Sequence, residues 1–219
     1  MFNKLERYIN MFFSSSKDNT KSDKFSVCVF CGAHEGIKPE FKEAASKFGQ
    51  LLAENDMRLV YGAGGKGLMG QVAYGVLNAG GEIYGITTDT IADFEEPIKD
   101  TKFKIVKTLQ ERKREFINSS DAFVCFPGGF GTYDELFEIL VTCEIVNKHN
   151  NLVGKKDMNI PHPIILVNIN NFFEGFKRLV ESSIRAGFVS STNKKYFKIV
   201  QSPAEAIDFI KKEIIGKKK

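Results

Sequence analysis

From Phe25 onward, short apolar runs alternate with longer stretches in which apolar residues return every three or four positions. The short runs are "FSVCVFC", "MRLVY", "EIYGITT", "FKIV", "DAFVCF" and "PIILVN". Strand-like runs alternating with helical patterns predict an α/β fold: a Rossmann-like doubly wound parallel sheet with helices on both faces. A first helix is expected from Pro39, where Phe41, Ala44, Ala45, Phe48, Leu51 and Leu52 fall at helical spacing. Others are expected from about Leu68 to Asn78, from about Gln110 to Asn118, and after Gly131, where Leu136, Ile139, Leu140 and Cys143 make a core face. "FFEGFKRLVESSIRAGF" and "SPAEAIDFIKKEI" read as two more amphipathic helices, the last capped by Ser202 with Pro203 at its first position. No internal repeat is expected.

In such a sheet, ligands collect outside the carboxyl ends of the strands. Four loops follow strands and should gather there: "CGAHEG", "YGAGGKGLMG", "TTDTIADFEEP" and "FPGGFGTYDE". The second satisfies GxGxxG through Gly62, Gly64 and Gly67. Glu82, the acid at the offset a dinucleotide fold expects, opens its strand instead of ending it. Lys66 is followed by Gly67 where a Walker loop needs Ser or Thr. Amides near a helix start nevertheless suit phosphate or ribose.

The last loop admits two readings. Thr132 and Glu135 form T-x-x-E, a capping box worth about 1 kcal/mol that needs no ligand. Yet a box does not call for Pro127 or for Gly128 beside Gly129, a pair that brings amides against a bulky anion without intervening side chains. Upstream, "LQERKREF" sets Arg112 and Lys113 near the start of a helix on the same edge of the sheet. Arg112 there is a permanent cation, an anchor and not a proton donor.

Composition narrows the classes. With 219 residues, 42% hydrophobic and 26% charged, the chain suits one main domain with a full core. The net charge of +4 lies entirely in the tail "KKEIIGKKK", which argues against nucleic acid as a partner, and no apolar run reaches the ~18 residues of a membrane span. Cys28, Cys31, Cys125 and Cys143 read as reduced, buried thiols in a cytoplasmic protein. Cys28 and Cys31, three apart on a strand, should face opposite ways. His34, His149 and His162 lack a metal-binding spacing, so no metal is expected. Residues 1–24 read as a partly flexible N-terminal extension, 25–215 as a single Rossmann-like domain and 216–219 as a basic tail.

"CVFCGAHEG", "LVYGAGGKGLMG", "ERKREF" and "DAFVCFPGGFGTYDEL" together resemble the LOG family of cytokinin riboside 5'-monophosphate phosphoribohydrolases, whose members were long labelled lysine decarboxylases. The likeness runs from about Phe25 to Ile210, with PGGxGTxxE intact from Pro127 to Glu135. It implies hydrolysis of the N-glycosidic bond of a purine nucleoside 5'-monophosphate, cytokinin-type or AMP, to free base and ribose 5-phosphate, with Arg112 and Glu135 catalytic. It further implies substrate binding by Lys113, Gly128, Gly129, Phe130, Gly131, Thr132, Gly32, Gly64, Gly65 and Met69, no cofactor, and a homodimer or larger homo-oligomer. Nothing marks a lysine or a phosphate site for pyridoxal phosphate. The chain departs from the family at Ala33, at "ITTDTI", at Gln110 and in the long "NKHNNLVGKKDMNIPHP" connection, which leaves the base open. A non-catalytic carrier of a nucleotide or phosphorylated cofactor on the same fold is the alternative.

Overall fold

The computed structural model describes residues 22–93, 95–153 and 164–216. Most of the N-terminal extension, the end of the basic tail and residues 154–163 of the long connection lie outside the described residues.

Among the described residues, seven parallel strands form one sheet: β1 (Ser26–Phe30), β2 (Arg58–Tyr61), β3 (Ile83–Thr88), β4 (Phe103–Val106), β5 (Ala122–Cys125), β6 (Ile164–Val167) and β7 (Phe197–Val200), in the order β4-β3-β2-β1-β5-β6-β7. All six expected strands are present. The seventh was not expected, although its "FKIV" repeats the tetrapeptide of β4 letter for letter.

The helices that matter for the site are α1 (Pro39–Glu54), α2 (Gly67–Asn78), α3 (Asp89–Ala92), α4 (Leu109–Asn118), α5 (Phe130–Val153), α6 (Glu174–Arg185) and α7 (Pro203–Phe209). Strands β1, β2, β5 and β6 are buried at every position because helices cover both faces. On one face Val27, Val29, Leu59 and Tyr61 pack with Phe48, Leu52 and Val72 of α1 and α2 and with Ile207 of α7. On the other, Cys28, Phe30, Val60 and Cys125 pack with Phe116, Leu136, Ile139 and Phe176 of α4, α5 and α6. Cys28 and Cys31 therefore do face opposite ways, and all four cysteines are buried and in no disulfide.

The strand order reverses between β1 and β5, since the chain winds outward from β1 through β2 to β4 and then returns to lay down β5 to β7 on the other side. A crevice at that reversal, outside the carboxyl ends, is where this topology leaves room for a ligand. Two hydrogen bonds fix its floor: Phe126 N–H to the Phe30 carbonyl at 2.8 Å and Gly32 N–H to the Pro127 carbonyl at 3.0 Å.

Candidate active site

A cavity of about 510 Å³ opens at this reversal, lined by parts of all four strand-end loops together with Arg112 and Lys113 of α4. Its size lies within the roughly 300–1,000 Å³ of small-molecule sites.

The glycine loop after β5 decides between cap and cradle. Helix α5 begins at Phe130, so Thr132 is its third residue and no cap; the first i to i−4 bond runs from Tyr133 N–H to the Gly129 carbonyl at 3.1 Å. The expected Thr132–Glu135 box therefore does not form. Where the same signature does start a helix, it works: Thr108 Oγ1 accepts from Glu111 N–H at 3.1 Å, and Ser202 Oγ from Glu205 N–H at 3.2 Å. Each of those glutamates reaches back to the amide before the cap, Lys107 or Gln201, at 2.9 Å. Glu135 is released from that duty.

The three glycines differ in why they are glycines. A Cβ on Gly128 would come within 2.7 Å of Thr132 Cβ and 2.9 Å of Gly32 N, because the first turn of α5 folds back on the loop. On Gly129 or Gly131 a Cβ would meet nothing within 4 Å, and both residues line the cavity. What these two preserve is open space beside the first turn. There the amides of Phe130, Gly131 and Thr132 have no acceptor within the helix, and its dipole favours an anion.

Opposite this turn, Arg112 is buried and held on three sides. Its Nε donates to the Ile86 carbonyl at 2.8 Å, its Nη2 to the Gly62 carbonyl at 3.1 Å, and its Nη1 faces Glu135 Oε1 at 3.5 Å. Phe116, one turn along α4, lies under the guanidinium with its centroid 5.0 Å from Cζ. Gly62 makes room for this, since a Cβ there would collide with Arg112 Nη2. Glu135 is 14% exposed, and burial pushes its carboxyl up to about 7 against the opposing pull of Arg112. A group with that value is half ionised near neutrality, where a general base is most useful.

The second glycine loop is packed and not an open cradle. The Gly32 carbonyl already accepts from Leu68 N–H at 3.0 Å and Met69 N–H at 3.4 Å, and Gly65 N–H donates to the Glu96 carbonyl at 3.0 Å. Gly67, at φ +60°, lies against the Ala33 backbone, which leaves no room for a side chain. Gly64 and Gly65, also expected to contact substrate, do not line the cavity; they stand behind Met69 and next to Glu95 and Glu96. Phe130 is likewise off the cavity wall, with its side chain 94% exposed to solvent. Gly32, Met69, Lys113, Gly128, Gly129, Gly131, Thr132, Arg112 and Glu135 do converge on the cavity.

The sequence reading placed "TTDTIADFEEP" on this edge but did not single out Glu95. This carboxyl lines the cavity, is raised by burial, and is lowered by Arg112 and His34. The apolar part of the wall, Ile91, Leu109, Phe41 and Phe172, was equally unmarked. Among the described residues, no group of three or more His, Cys, Asp or Glu side chains could hold a metal ion, and no helix is long and apolar enough to cross a membrane.

The family model described as "Possible lysine decarboxylase" matches residues 69–210. Cytokinin riboside 5'-monophosphate phosphoribohydrolase LOG2 of Arabidopsis thaliana is 33% identical over 187 residues, 85% of this chain and 81% of that protein. LOG7 of the same plant, which bears the same enzyme name, is 32% identical over 189 residues, 85% and 80% of the two chains. The chain belongs to the LOG family. Solved structures extend the likeness of this LOG-family chain in fold alone. The molybdenum cofactor carrier protein of Chlamydomonas reinhardtii superposes with a TM-score of 0.59 at 18% identity, covering 86% of this chain and 97% of that one. The molybdenum cofactor binding protein of Rippkaea orientalis gives 0.59 at 20% identity, covering 88% and 98%.

Proposed function

We propose that this LOG-family protein hydrolyses the N-glycosidic bond of a purine nucleoside 5'-monophosphate, a cytokinin nucleotide or AMP. The observation that carries the reading is the meeting of Arg112 and Glu135 across a cavity whose other wall is an open helix N-terminus. The amides of Gly129, Gly131 and Thr132 receive the 5'-phosphate, which places the ribose between that turn and Glu135. As the bond from C1' to the base nitrogen breaks, its electron pair leaves with the base and positive charge grows on the sugar. The Glu135 carboxylate stabilises that charge and takes a proton from the water whose oxygen bonds to C1'. The base nitrogen gains a proton, so water is the only other reactant, and the products are free base and ribose 5-phosphate. Arg112, fixed by two backbone carbonyls, holds Glu135 in place and in its ionised form.

The same proposal places the protein in the cytoplasm, in keeping with its four free thiols. It also has copies associate as a homodimer or larger homo-oligomer, supported by the exposed Phe130, Phe137 and Val141 along one face of α5. Incubating the purified protein with AMP and with N6-prenyl-AMP, and separating the products by liquid chromatography, tests the activity. Free base should appear with at least one of them. Tight nucleotide binding with no base released from any purine monophosphate makes the protein a carrier instead.

A further inference from the structure

Lys113 is the residue next to Arg112, and the resemblance implied that it binds nucleotide. Its ammonium group is already engaged: Nζ stands 3.0 Å from Asp134 Oδ1 and 3.0 Å from Glu138 Oε2, with its side chain only 17% exposed. Those two acids sit one turn apart on α5 and bracket Glu135 in the chain. Adjacent cations on α4 thus grip three acids in five consecutive residues of α5, Arg112 on Glu135 and Lys113 on both neighbours.

Two of the three N–H donors of Lys113 Nζ are already committed to these carboxylates, so a phosphate drawn to the third would have to stand beside Asp134 and Glu138. The incoming dianion would then share that one ammonium with two carboxylates and repel both. An isolated surface ion pair is worth little, but one cation shared by two acids and largely shielded from water forms a network, in which the pairs reinforce each other. The geometric effect is larger than the energetic one. Arg112 Nη1 to Glu135 Oε1 is already 3.5 Å, at the outer limit of a hydrogen bond, and a shift of about 1 Å in a reacting constellation costs on the order of 10²-fold in rate.

We propose that Lys113 is a positioning residue, a strut that joins α4 to α5 and sets the separation of Arg112 and Glu135, and that it is not a ligand of the substrate's phosphate. The kinetic part of the test rests on the hydrolase reading; the spectroscopic and stability parts do not.

The experiment compares Lys113→Met, Lys113→Arg and the charge exchange Lys113→Glu with Glu138→Lys. Lys113→Met should lower kcat at least tenfold with KM for the nucleotide within about threefold. Lys113→Arg and the exchanged pair should each recover most of the lost kcat. In carbon-13 NMR, the Glu135 carboxyl should titrate at higher pH in Lys113→Met than in the wild type, since Lys113 lowers its value while Asp134 and Glu95 raise it. The Tm losses of Lys113→Met and Glu138→Gln should be non-additive in the double variant. A KM raised tenfold or more at unchanged kcat, with no recovery on exchange, overturns the proposal and makes Lys113 a substrate ligand. An unmoved Glu135 titration with additive Tm losses overturns it even in a protein that releases no base, an outcome in which the hydrolase reading falls separately.

Discussion

Arg112 meets Glu135 through one nitrogen only, at 3.5 Å, while its other two nitrogens are taken by the carbonyls of Ile86 and Gly62. The arginine is thus fixed to β3 and to the residue that follows β2, and not to the acid. Removing the acid leaves a cation that still has two hydrogen-bonded partners, so the pair can be taken apart chemically without collapsing the site.

Glu135→Gln should therefore abolish most activity, by about 10²-fold or more, without lowering Tm. No cap is lost with the carboxylate, because α5 starts at Phe130. Thr108→Ala provides the contrast: it removes a working cap and should cost about 1 kcal/mol. Base release and thermal melts on the two variants check both halves.

The pH dependence has two parts with different signs. Glu135 must be ionised to act as base, so kcat/KM, which reports the ligand-free protein, should rise with pH through a midpoint near 7. Stability runs the other way. The carboxyl value is about 7 folded against an ordinary value of 4.5, so the folded state binds more protons, and stability present below pH 4.5 is lost as pH rises through 7. The loss is at most about 3 kcal/mol, because each tenfold difference in proton affinity between the folded and unfolded chain is about 1.4 kcal/mol. Denaturant melts from pH 4 to 8 should show a fall in the wild type that is smaller in Glu135→Gln.

Gly62→Ala alters no group expected to touch substrate. Its new methyl would overlap Arg112 Nη2 and approach Met69 Sδ to 3.0 Å, so the guanidinium must move. Activity should drop by about 10²-fold with a stability loss of about 1–3 kcal/mol. Base release and denaturant melts measure the two effects.

Within the glycine loop, Gly131→Ala and Gly128→Ala should separate space from packing. The first adds a methyl to an open helical position, so the helix gains about 0.5–1 kcal/mol while KM for the nucleotide rises. The second forces a methyl against Thr132 and should lower Tm outright. Nucleotide titration together with thermal melts distinguishes them.

Much of this molecule was legible in its letters. Alternating runs gave six strands and the sheet edge on which the four loops meet, and Pro39 and Ser202 marked helix starts where the structure has them. The failures have physical reasons. T-x-x-E names a cap only if the helix begins at the threonine, and at Thr132 it begins two residues earlier, a choice made by the fold of Gly128 under that side chain. GxGxxG reads as a phosphate loop, but the Gly32 carbonyl, some 35 residues upstream, occupies the amides. Glu95 lay on an expected loop among several acids, and only the tertiary fold distinguishes the one facing Arg112.

The repeated "FKIV" shows what no local signal supplies. At β4, Phe103 and Ile105 are exposed while Lys104 turns toward α4 and pairs with Glu115 at 3.2 Å; at β7, Phe197 and Ile199 pack on the α6 side and Lys198 is exposed. Identical tetrapeptides sit in opposite phase, because a one-residue slip exchanges the two faces of a strand.

That repetition also puts a positive charge on each border strand of the sheet, though on opposite faces. Each outermost strand carries a lysine at its second position, so a further strand arriving from another molecule would have to settle beside an ammonium group, a common safeguard against fibril growth. The protein can keep long apolar runs in its interior strands because the outermost ones, where lateral growth would start, carry charge.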